Sequence, residues 1–298
     1  MTREAIIMSA FLVTVLALPA GAVVITPPVG TPPPLPYSGT PIASWDFGTA
    51  NPLVDKVGGR VMRIVEDRSS DVKFTTATDK HGVSLNFLNF TNGNRRAFSI
   101  VDHNPADSLQ SGVIHIRGIN TGHFNNPRET LVSKDHYSYG NGGHFTINFR
   151  RTNSSTGHIE VRLQSRSQSK YVMTSSPLST NEFVDAFVTF GPDFGGLQLF
   201  LDRDLSDSKP AVLEGSCNYF GGIENNAEPW LFGSSLWRQN PPASRHGVDL
   251  GDLGDGLSGG IAGFSIHELR VIPEPGTFVL TVCGAFFLLG SGFRRRRK

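Results

Sequence analysis

The middle of the chain carries short stretches in which apolar and polar residues alternate. Phe145, Ile147 and Phe149 are separated by Thr146 and Asn148. A period of two residues is typical of a β-strand with one buried face. The same alternation recurs in residues 159–163, 197–201 and 264–267.

Turns rich in Gly, Asn, Asp and Ser separate these stretches, for example at residues 91–94 and 139–143. Such residues adopt the backbone angles that tight turns need. A weak helical signal at residues 179–186 is outweighed by the pattern of Phe183–Phe190, which favours a strand. Many short strands without heptads or repeats predict one all-β domain over residues 42–272, built as a sandwich or barrel.

The N-terminal residues 1–22 resemble a secretion signal. An apolar run at residues 6–18 follows Arg3 and ends in the small residues Ala20, Gly21 and Ala22. The run is short for a bilayer span and suits a signal-peptide core followed by a cleavage site. We expect signal peptidase to release a chain that starts at Val23; the alternative is an uncleaved membrane anchor. Residues 23–41 are Pro-rich and predict a semi-rigid linker.

The C-terminal residues 273–298 carry the strongest targeting pattern. Pro273, Glu274 and Pro275 precede an uncharged apolar segment at residues 277–293. This segment has the short end of the length that a transmembrane helix needs. A basic cluster follows it, and the positive-inside rule places such a cluster in the cytoplasm and the domain outside. The cluster consists of Arg294, Arg295, Arg296, Arg297 and Lys298.

This order of Pro-Glu-Pro, apolar helix and basic cluster resembles the PEP-CTERM sorting signal. The resemblance implies that an exosortase, an integral-membrane transpeptidase, recognises Pro273, Glu274 and Pro275 at the cell envelope. It also implies a Gram-negative host that makes exopolysaccharide or biofilm matrix. The alternative is an ordinary tail anchor.

Composition adds two constraints. The chain has 298 residues and a formal net charge of +1, which gives no electrostatic argument for nucleic-acid binding. Of its two cysteines, Cys283 lies in the C-terminal apolar segment, so we expect no disulfide within the domain around Cys217.

Several short segments of the domain follow one another in a characteristic order. They are SWDF (44–47) with LVD (53–55), GVSLNF (82–87), TLVSK (130–134), LQLFLD (197–202), PWLFG (229–233) and a closing strand at residues 259–269. This order resembles the laminin-G-like, concanavalin A-type jelly roll. Two sites depart from the family pattern: Arg203 replaces a Gly, and Ala262 and Gly263 replace an Asp-Glu pair, so the family's metal site is not carried over there.

The sequence predicts no catalytic residues. Glycosidases of this fold use two nearby carboxylates, commonly in a Glu-x-Asp-x-x-Glu string, and the chain has none. It also lacks a G-x-S-x-G nucleophile turn. We therefore expect no enzyme activity; the alternative is a polysaccharide-cleaving glycosidase or lyase on the same fold.

A calcium site is a candidate in one Gly-rich segment. Asp249, Asp252 and Asp255 recur at every third residue among glycines. Several carboxylates on a flexible backbone suit Ca²⁺, although the segment is not an EF-hand loop. The alternative is a solvated turn in which glycine supplies unusual backbone angles.

Exposed aromatic and amide side chains are candidates for carbohydrate binding. Trp45 and Trp230 lie within strand patterns and are expected in the core. For the ligand-binding candidates, the alternative is that their rings cap the core. These candidates are Tyr137, Tyr139 and Asn141, together with Trp237, Arg238 and Asn240.

Together these patterns predict an exported surface or matrix protein whose jelly roll binds exopolysaccharide or a surface partner. A structural matrix protein without a binding site is a further alternative.

Overall fold

The computed structural model describes most of the predicted domain. It covers residues 39–66, 71–90, 97–121, 127–134, 144–164, 169–180, 182–223, 228–236 and 253–269. The predicted signal peptide, all but the last three residues of the linker, and the C-terminal sorting segment with its apolar run at 277–293 lie outside these residues. No helix in the described part of the chain is long and apolar enough to cross a membrane.

The described residues form nineteen strands and two short 3₁₀ helices, at Pro105–Asp107 and Pro192–Phe194. The strands are β1 (Gly39–Asp46), β2 (Arg63–Glu66), β3 (Val72–Thr78), β4 (Ser84–Phe90), β5 (Ala97–Val101), β6 (Gly112–Thr121), β7 (Arg128–Lys134), β8 (His144–Arg151), β9 (Thr156–Gln164), β10 (Ser169–Met173), β11 (Leu178–Ser179), β12 (Phe183–Phe190), β13 (Leu197–Asp202), β14 (Val212–Cys217), β15 (Trp230–Phe232), β16 (Ser235–Leu236), β17 (Leu253–Gly254), β18 (Gly259–Ile261) and β19 (Gly263–Leu269).

Two antiparallel sheets build the domain. The first has the order β14-β13-β12-β6-β18-β4-β3, with β19 between β6 and β1. The second has the order β10-β9-β8-β7-β15-β5-β2, with β11 beside β9. A small sheet pairs β16 with β17. The prediction of an all-β antiparallel domain is confirmed, and the two large sheets are consistent with a jelly-roll sandwich.

Aromatic side chains fill the core between the sheets. Trp45 and Trp230 are almost fully buried, as the sequence predicts. The ring of Phe264 lies 6.1 Å from that of Trp45, 5.4 Å from that of Trp230 and 5.0 Å from that of Phe232. Rings at these distances in tilted or edge-on arrangements stabilise a core beyond the area that they bury.

The prediction of one buried face per strand holds for β13 but is wrong for other strands of both sheets. In β12 of the first sheet, all eight residues are buried. In β13, Leu197, Leu199 and Leu201 are buried while Gln198 and Phe200 are half-buried. In β8 and β9 the polar residues of the outer face are buried as well; these are Thr146, Asn148 and Glu160. Their burial is compatible with hydrogen bonding, since Asn148 bonds both Thr130 and Thr146 and Glu160 bonds two arginines.

The closing segment 259–269 is predicted as one strand but forms two. β18 pairs with β4 and β6, whereas β19 pairs with β1 and β6, and Ala262 lies at the change of partner. The backbone of Ala262 bonds that of Arg117 next to Gly118, which has a φ of +58°. This irregularity in β6 offsets the closing segment and divides it.

Strand register defines two ends of the sandwich. Gly39 pairs with Leu269, so the first and last described strands meet at what we call the terminal end. Asp46 pairs with Gly263 at the opposite or distal end, about 25 Å away for a strand of this length. Thr121 pairs with Gly259 at the distal end too.

Candidate ligand-binding surfaces

The six predicted ligand-binding residues lie outside the described part of the chain, in segments 135–143 and 237–252. The structure does place the residues that flank these segments. The first segment follows Lys134, the last residue of β7. The second lies between β16 and β17, which adjoin the start of β7, where the carbonyl of Asp255 accepts a hydrogen bond from the amide of Thr130 at 2.7 Å. The two segments therefore connect to opposite ends of one strand.

Of the three predicted calcium ligands, only Asp255 is described. Its φ of +50° is the one positive value among the described non-glycine residues. The described residues contain no group of three or more acidic, His or Cys side chains that would hold a metal ion. Asp249 and Asp252 lie outside those residues, so the calcium site stays a prediction.

A concavity at the edge of the first sheet is a candidate site that sequence reasoning missed. We call it the edge depression; it has a volume of about 420 Å³ and is lined by residues 47–50, Pro52, 74–76 and Asn86. Phe74 leaves 46% of its surface exposed, and its ring lies 6.5 Å from that of Phe47. The depression thus offers an aromatic surface on one side.

Polar groups stand beside this ring. The hydroxyl of Thr76 bonds Oδ1 of Asn86 at 2.6 Å, which orients the amide. Nδ2 of Asn86 lies 3.5 Å from the point where a Cβ on Gly48 would stand. The loop after β1 therefore lies within van der Waals contact distance of the amide.

An ionised carboxylate lies next to the depression at the end of β1. Partial burial opposes the ionisation of Asp46, but hydrogen bonds from Lys56 and Gly48 and the charge of Arg117 outweigh it and lower its pKa. Nζ of Lys56 lies 2.8 Å from Oδ2 of Asp46, and Nη1 of Arg117 lies 3.5 Å from Oδ1. The rim of the depression is therefore charged, while its lining is neutral.

A second surface lies on the outer face of the second sheet. Arg128 on β7 is the register partner of Arg150 on β8. Both guanidinium groups donate to Glu160 on β9, each at 2.9 Å and each to a different carboxylate oxygen. We call Arg128 and Arg150 the paired arginines. Their side chains are 36% and 48% exposed, while that of Glu160 is 3% exposed.

An aromatic side chain lies on the same outer face. Tyr171 on edge strand β10 is 60% exposed and pairs in register with Arg162 on β9. Its neighbour Val172 points the other way, into the core. Tyr171 gave no signal in the sequence because a lone Tyr in a short strand looks the same whether it faces the core or the solvent.

The first sheet contains one close pair of carboxylates. Asp185 on β12 is the register partner of Asp202 on β13. Burial, together with the charge of Asp185, raises the pKa of Asp202 to about 6 despite the hydrogen bond from Asp204. Oδ1 of Asp185 accepts the amide of Gly118 at 2.7 Å and Oδ2 lies 2.9 Å from Nε2 of His115.

This pair differs from the glycosidase arrangement. Both carboxylates are buried, and Asp185 is occupied by the backbone of β6. Glycosidases place their two carboxyl groups on either side of a bond in an accessible cleft. The geometry of Asp185 and Asp202 favours a structural role.

Comparisons with known proteins bear on the fold. No protein-family model and no curated protein sequence matches the chain. Among solved structures, the chain is similar to domain 4 of AbnA, a GH43 extracellular arabinanase from Geobacillus stearothermophilus in complex with arabinotriose. The TM-score is 0.50 at 14% identity, over 78% of this chain and 93% of that one.

Two further solved structures resemble the chain more weakly. One is the CBM40 domain of the Ruminococcus gnavus IT-sialidase bound to alpha2,3 sialyllactose, with a TM-score of 0.40 at 14% identity over 63% of this chain and 92% of that one. The other is SCLam, a non-specific endo-beta-1,3(4)-glucanase from family GH16, with a TM-score of 0.36 at 10% identity over 82% of this chain and 97% of that one. At such identities the likeness to the arabinanase domain concerns the fold alone.

Proposed function

We propose that this protein is an exported cell-surface protein whose β-sandwich binds carbohydrate without cleaving it. The edge depression is the observation that carries the proposal. It is a concavity in which an exposed aromatic ring stands beside an amide and hydroxyl groups. Binding sites for small ligands combine apolar surface with a few oriented polar groups in this way.

The chemistry of a sugar matches this lining. The C–H face of a pyranose or furanose ring packs on an aromatic side chain such as Phe74. Its hydroxyl groups accept from the Nδ2 amide of Asn86 and exchange hydrogen bonds with Thr49 and with Thr76, whose side chain lies on the same face of β3 as Phe74. Because the lining is uncharged, the proposed ligand is a neutral glycan segment.

The localisation of the protein is part of the same proposal. Residues 1–22 direct export, and the tail from Pro273 to the arginines at 294–297 is the sorting signal processed by an exosortase. The strand register supports this arrangement, since the linker and the tail both join the domain at its terminal end, away from the depression.

Binding to a panel of neutral and acidic oligosaccharides tests the function. Phe74→Ala and Asn86→Ala should each weaken binding of neutral glycans about tenfold or more, which corresponds to about 1.4 kcal/mol. Phe220→Ala is the matched control, because Phe220 is a similarly exposed ring outside the depression.

Equal losses in Phe220→Ala would contradict a specific site, and no binding to any glycan would contradict the function. Release of reducing ends during the assay would show a polysaccharide-cleaving enzyme instead of a binding protein.

A further inference from the structure

We propose that the protein has a second ligand site, in which the paired arginines bind carboxylate groups of an acidic polysaccharide. The site lies on the second sheet and differs from the edge depression in position and in ligand class. It therefore goes beyond the neutral-glycan function proposed above.

The first argument is that placing two arginines opposite each other lowers the stability of the sheet. Arg128 and Arg150 stand directly opposite each other on neighbouring strands. Like charges in this position destabilise a sheet. One guanidinium would suffice to pair with the buried carboxylate of Glu160, yet two are present, so the three groups keep a net charge of +1. Proteins retain locally unfavourable arrangements mainly at functional sites.

The second argument is the direction of the donors. A guanidinium has five N–H groups in a planar fork. Each paired arginine gives Glu160 one hydrogen bond of 2.9 Å, and the exposed part of each side chain faces solvent. Glu160, which is buried, thus fixes both guanidinium groups on their sheet side. Their remaining N–H groups are left for an incoming anion. Two guanidinium groups fixed in this way suit the bidentate binding of a carboxylate.

The third argument is the continuation of the surface across the sheet. His158 is the register partner of Arg150, and Arg162 with the exposed Tyr171 follows on the same face. The paired arginines and His158 lie about 5 Å apart on neighbouring strands, whereas Arg162 lies four residues beyond His158 on β9, about 13 Å further along the sheet. A polymer with repeated carboxylates can contact both places, and Tyr171 offers a ring on which a sugar can pack. An acidic polysaccharide is therefore favoured over a single small anion.

The test measures binding of two probes by the full-length protein in detergent. One probe is a fully de-esterified oligogalacturonate, and the other is the methyl ester of the same oligosaccharide, which carries no charge. Arg128→Gln and Arg150→Gln should each weaken oligogalacturonate binding at least tenfold, and the methyl ester should bind at least tenfold more weakly than the acid. Arg150→Lys should retain only part of the affinity, because it keeps the charge but loses the fork. Binding should also weaken as salt is raised.

The matched control is Arg63→Gln. Arg63 also lies on the second sheet, is 47% exposed and has one exposed ion pair, with Asp102 at 3.3 Å. Its replacement should leave oligogalacturonate binding unchanged, as should Phe74→Ala in the edge depression.

Thermal unfolding of each variant checks that the variant is folded. The double variant Arg150→Gln with Glu160→Gln removes both charges, so it leaves no unpaired buried carboxylate and should fold while still losing affinity. Equal loss in Arg63→Gln, equal binding of acid and ester, or no binding of oligogalacturonate by the wild-type protein would overturn this proposal. Neutral-glycan binding that depends on Phe74 would survive those outcomes, so the two proposals fail separately.

Discussion

At the scale of single residues, a buried ionic network connects distant parts of the chain. Asp55 accepts three backbone amides, those of Ser44, Val57 and Gly58. Arg60 bonds Asp55 at 3.3 Å and Asp107 at 2.7 Å, and its guanidinium lies 5.2 Å from the centre of a ring of Trp45.

The network continues through the second sheet. Oδ2 of Asp107 also accepts Nε1 of Trp230 at 2.9 Å. Burial lowers the pKa of Lys134 to about 8, an effect opposed by the charge of Asp107, and its ammonium group bonds the carbonyl of Glu228 at 2.9 Å. Charges from the connection between β1 and β2, from the first 3₁₀ helix and from β7 therefore compensate one another in the interior.

Arg60→Met should destabilise the protein strongly, because it leaves the carboxylates of Asp55 and Asp107 buried without their cation. We expect a loss of about 3–5 kcal/mol in the free energy of unfolding measured with urea. Arg63→Met is the control: its exposed ion pair contributes about 0–1 kcal/mol. Similar losses in the two variants would contradict the network.

Asp202 should make stability depend on pH. Its pKa is raised from 3.8 to about 6 by burial and by Asp185, Asp207 and Asp204. Between these values the folded protein holds a proton that the unfolded chain has released, so stability falls as pH rises through this window and levels off above it. Asp202→Asn should remove this slope and raise stability at pH 7 by about 1–2 kcal/mol.

Asp204→Asn is the opposite control. The hydrogen bond from Ser206 lowers the pKa of Asp204. Its ionised form therefore favours the folded state at neutral pH, an advantage that is lost as pH falls through the lowered pKa. Because the charge of Asp204 also acts on Asp202, the test is made in the Asp202→Asn background, where a stabilising effect of Asp204→Asn at pH 7 would contradict these assignments.

Residue identity alone predicted part of this picture. The burial of Trp45 and Trp230 is predictable from the sequence because large rings within strand patterns are usually buried. The ion pair of Arg60 with Asp107 joins residues 47 positions apart, and no local pattern signals it. The edge depression has no local sequence pattern for the same reason, since Phe74 and the loop after β1 meet only in the folded chain.

At the scale of elements, β6 is shaped by one glycine. Gly118 has a φ of +58°, and its amide donates to Asp185 where the register between β6 and β12 shifts. A Cβ here would lie 2.6 Å from Cδ1 of Leu85 and 2.8 Å from Cβ of Ala262. Backbone angle and packing both require glycine at this position.

Gly118→Ala should therefore lower stability by about 2–4 kcal/mol in urea unfolding, from strain and overpacking together. Gly59→Ala separates the two causes. Gly59 has a φ of +68°, but a Cβ there meets nothing within 4 Å. Its substitution should cost only the backbone strain, about 1–2 kcal/mol. Equal costs for the two variants would show that the contacts with Leu85 and Ala262 do not matter.

The sequence predicts where strands form better than it predicts which of their faces are buried. Phe183–Phe190 is a strand, as its composition indicates, but all eight of its residues are buried. Period-two alternation reports side-chain polarity, whereas burial depends on what covers the outer face. The division of residues 259–269 into β18 and β19 depends on the irregular backbone of β6, which their own sequence does not encode.

At the scale of the whole molecule, both proposed sites lie towards the distal end. The edge depression adjoins the last residue of β1. Arg128 begins β7, next to Glu129, whose carboxylate accepts the amide of Ser258 beside the pairing of Gly259 with Thr121. An anchor attached at the terminal end would hold both sites away from the membrane.

Replacing Pro273, Glu274 and Pro275 by alanine tests the proposed sorting to the cell surface. We expect the variant to accumulate uncut in the inner-membrane fraction, whereas the wild-type protein reaches the surface or the medium in a shorter form. Immunoblots of fractionated cells with antibody to the domain measure both. A matched change of Pro32, Pro33 and Pro34 in the linker should leave sorting unchanged; identical fractionation of wild-type and tail variant would contradict exosortase processing.

The pairing of β1 with β19 also determines how the domain responds to mechanical load. A pull that separates Gly39 from Leu269 would open this antiparallel ladder one hydrogen bond at a time, as a zipper, and requires little force. A pull between Leu269 and a ligand held at the distal end instead runs along β19, and the hydrogen bonds to β1 and β6 then resist together in shear. Under the proposed surface anchoring, a ligand held at the distal end would therefore load the domain in its mechanically stronger direction.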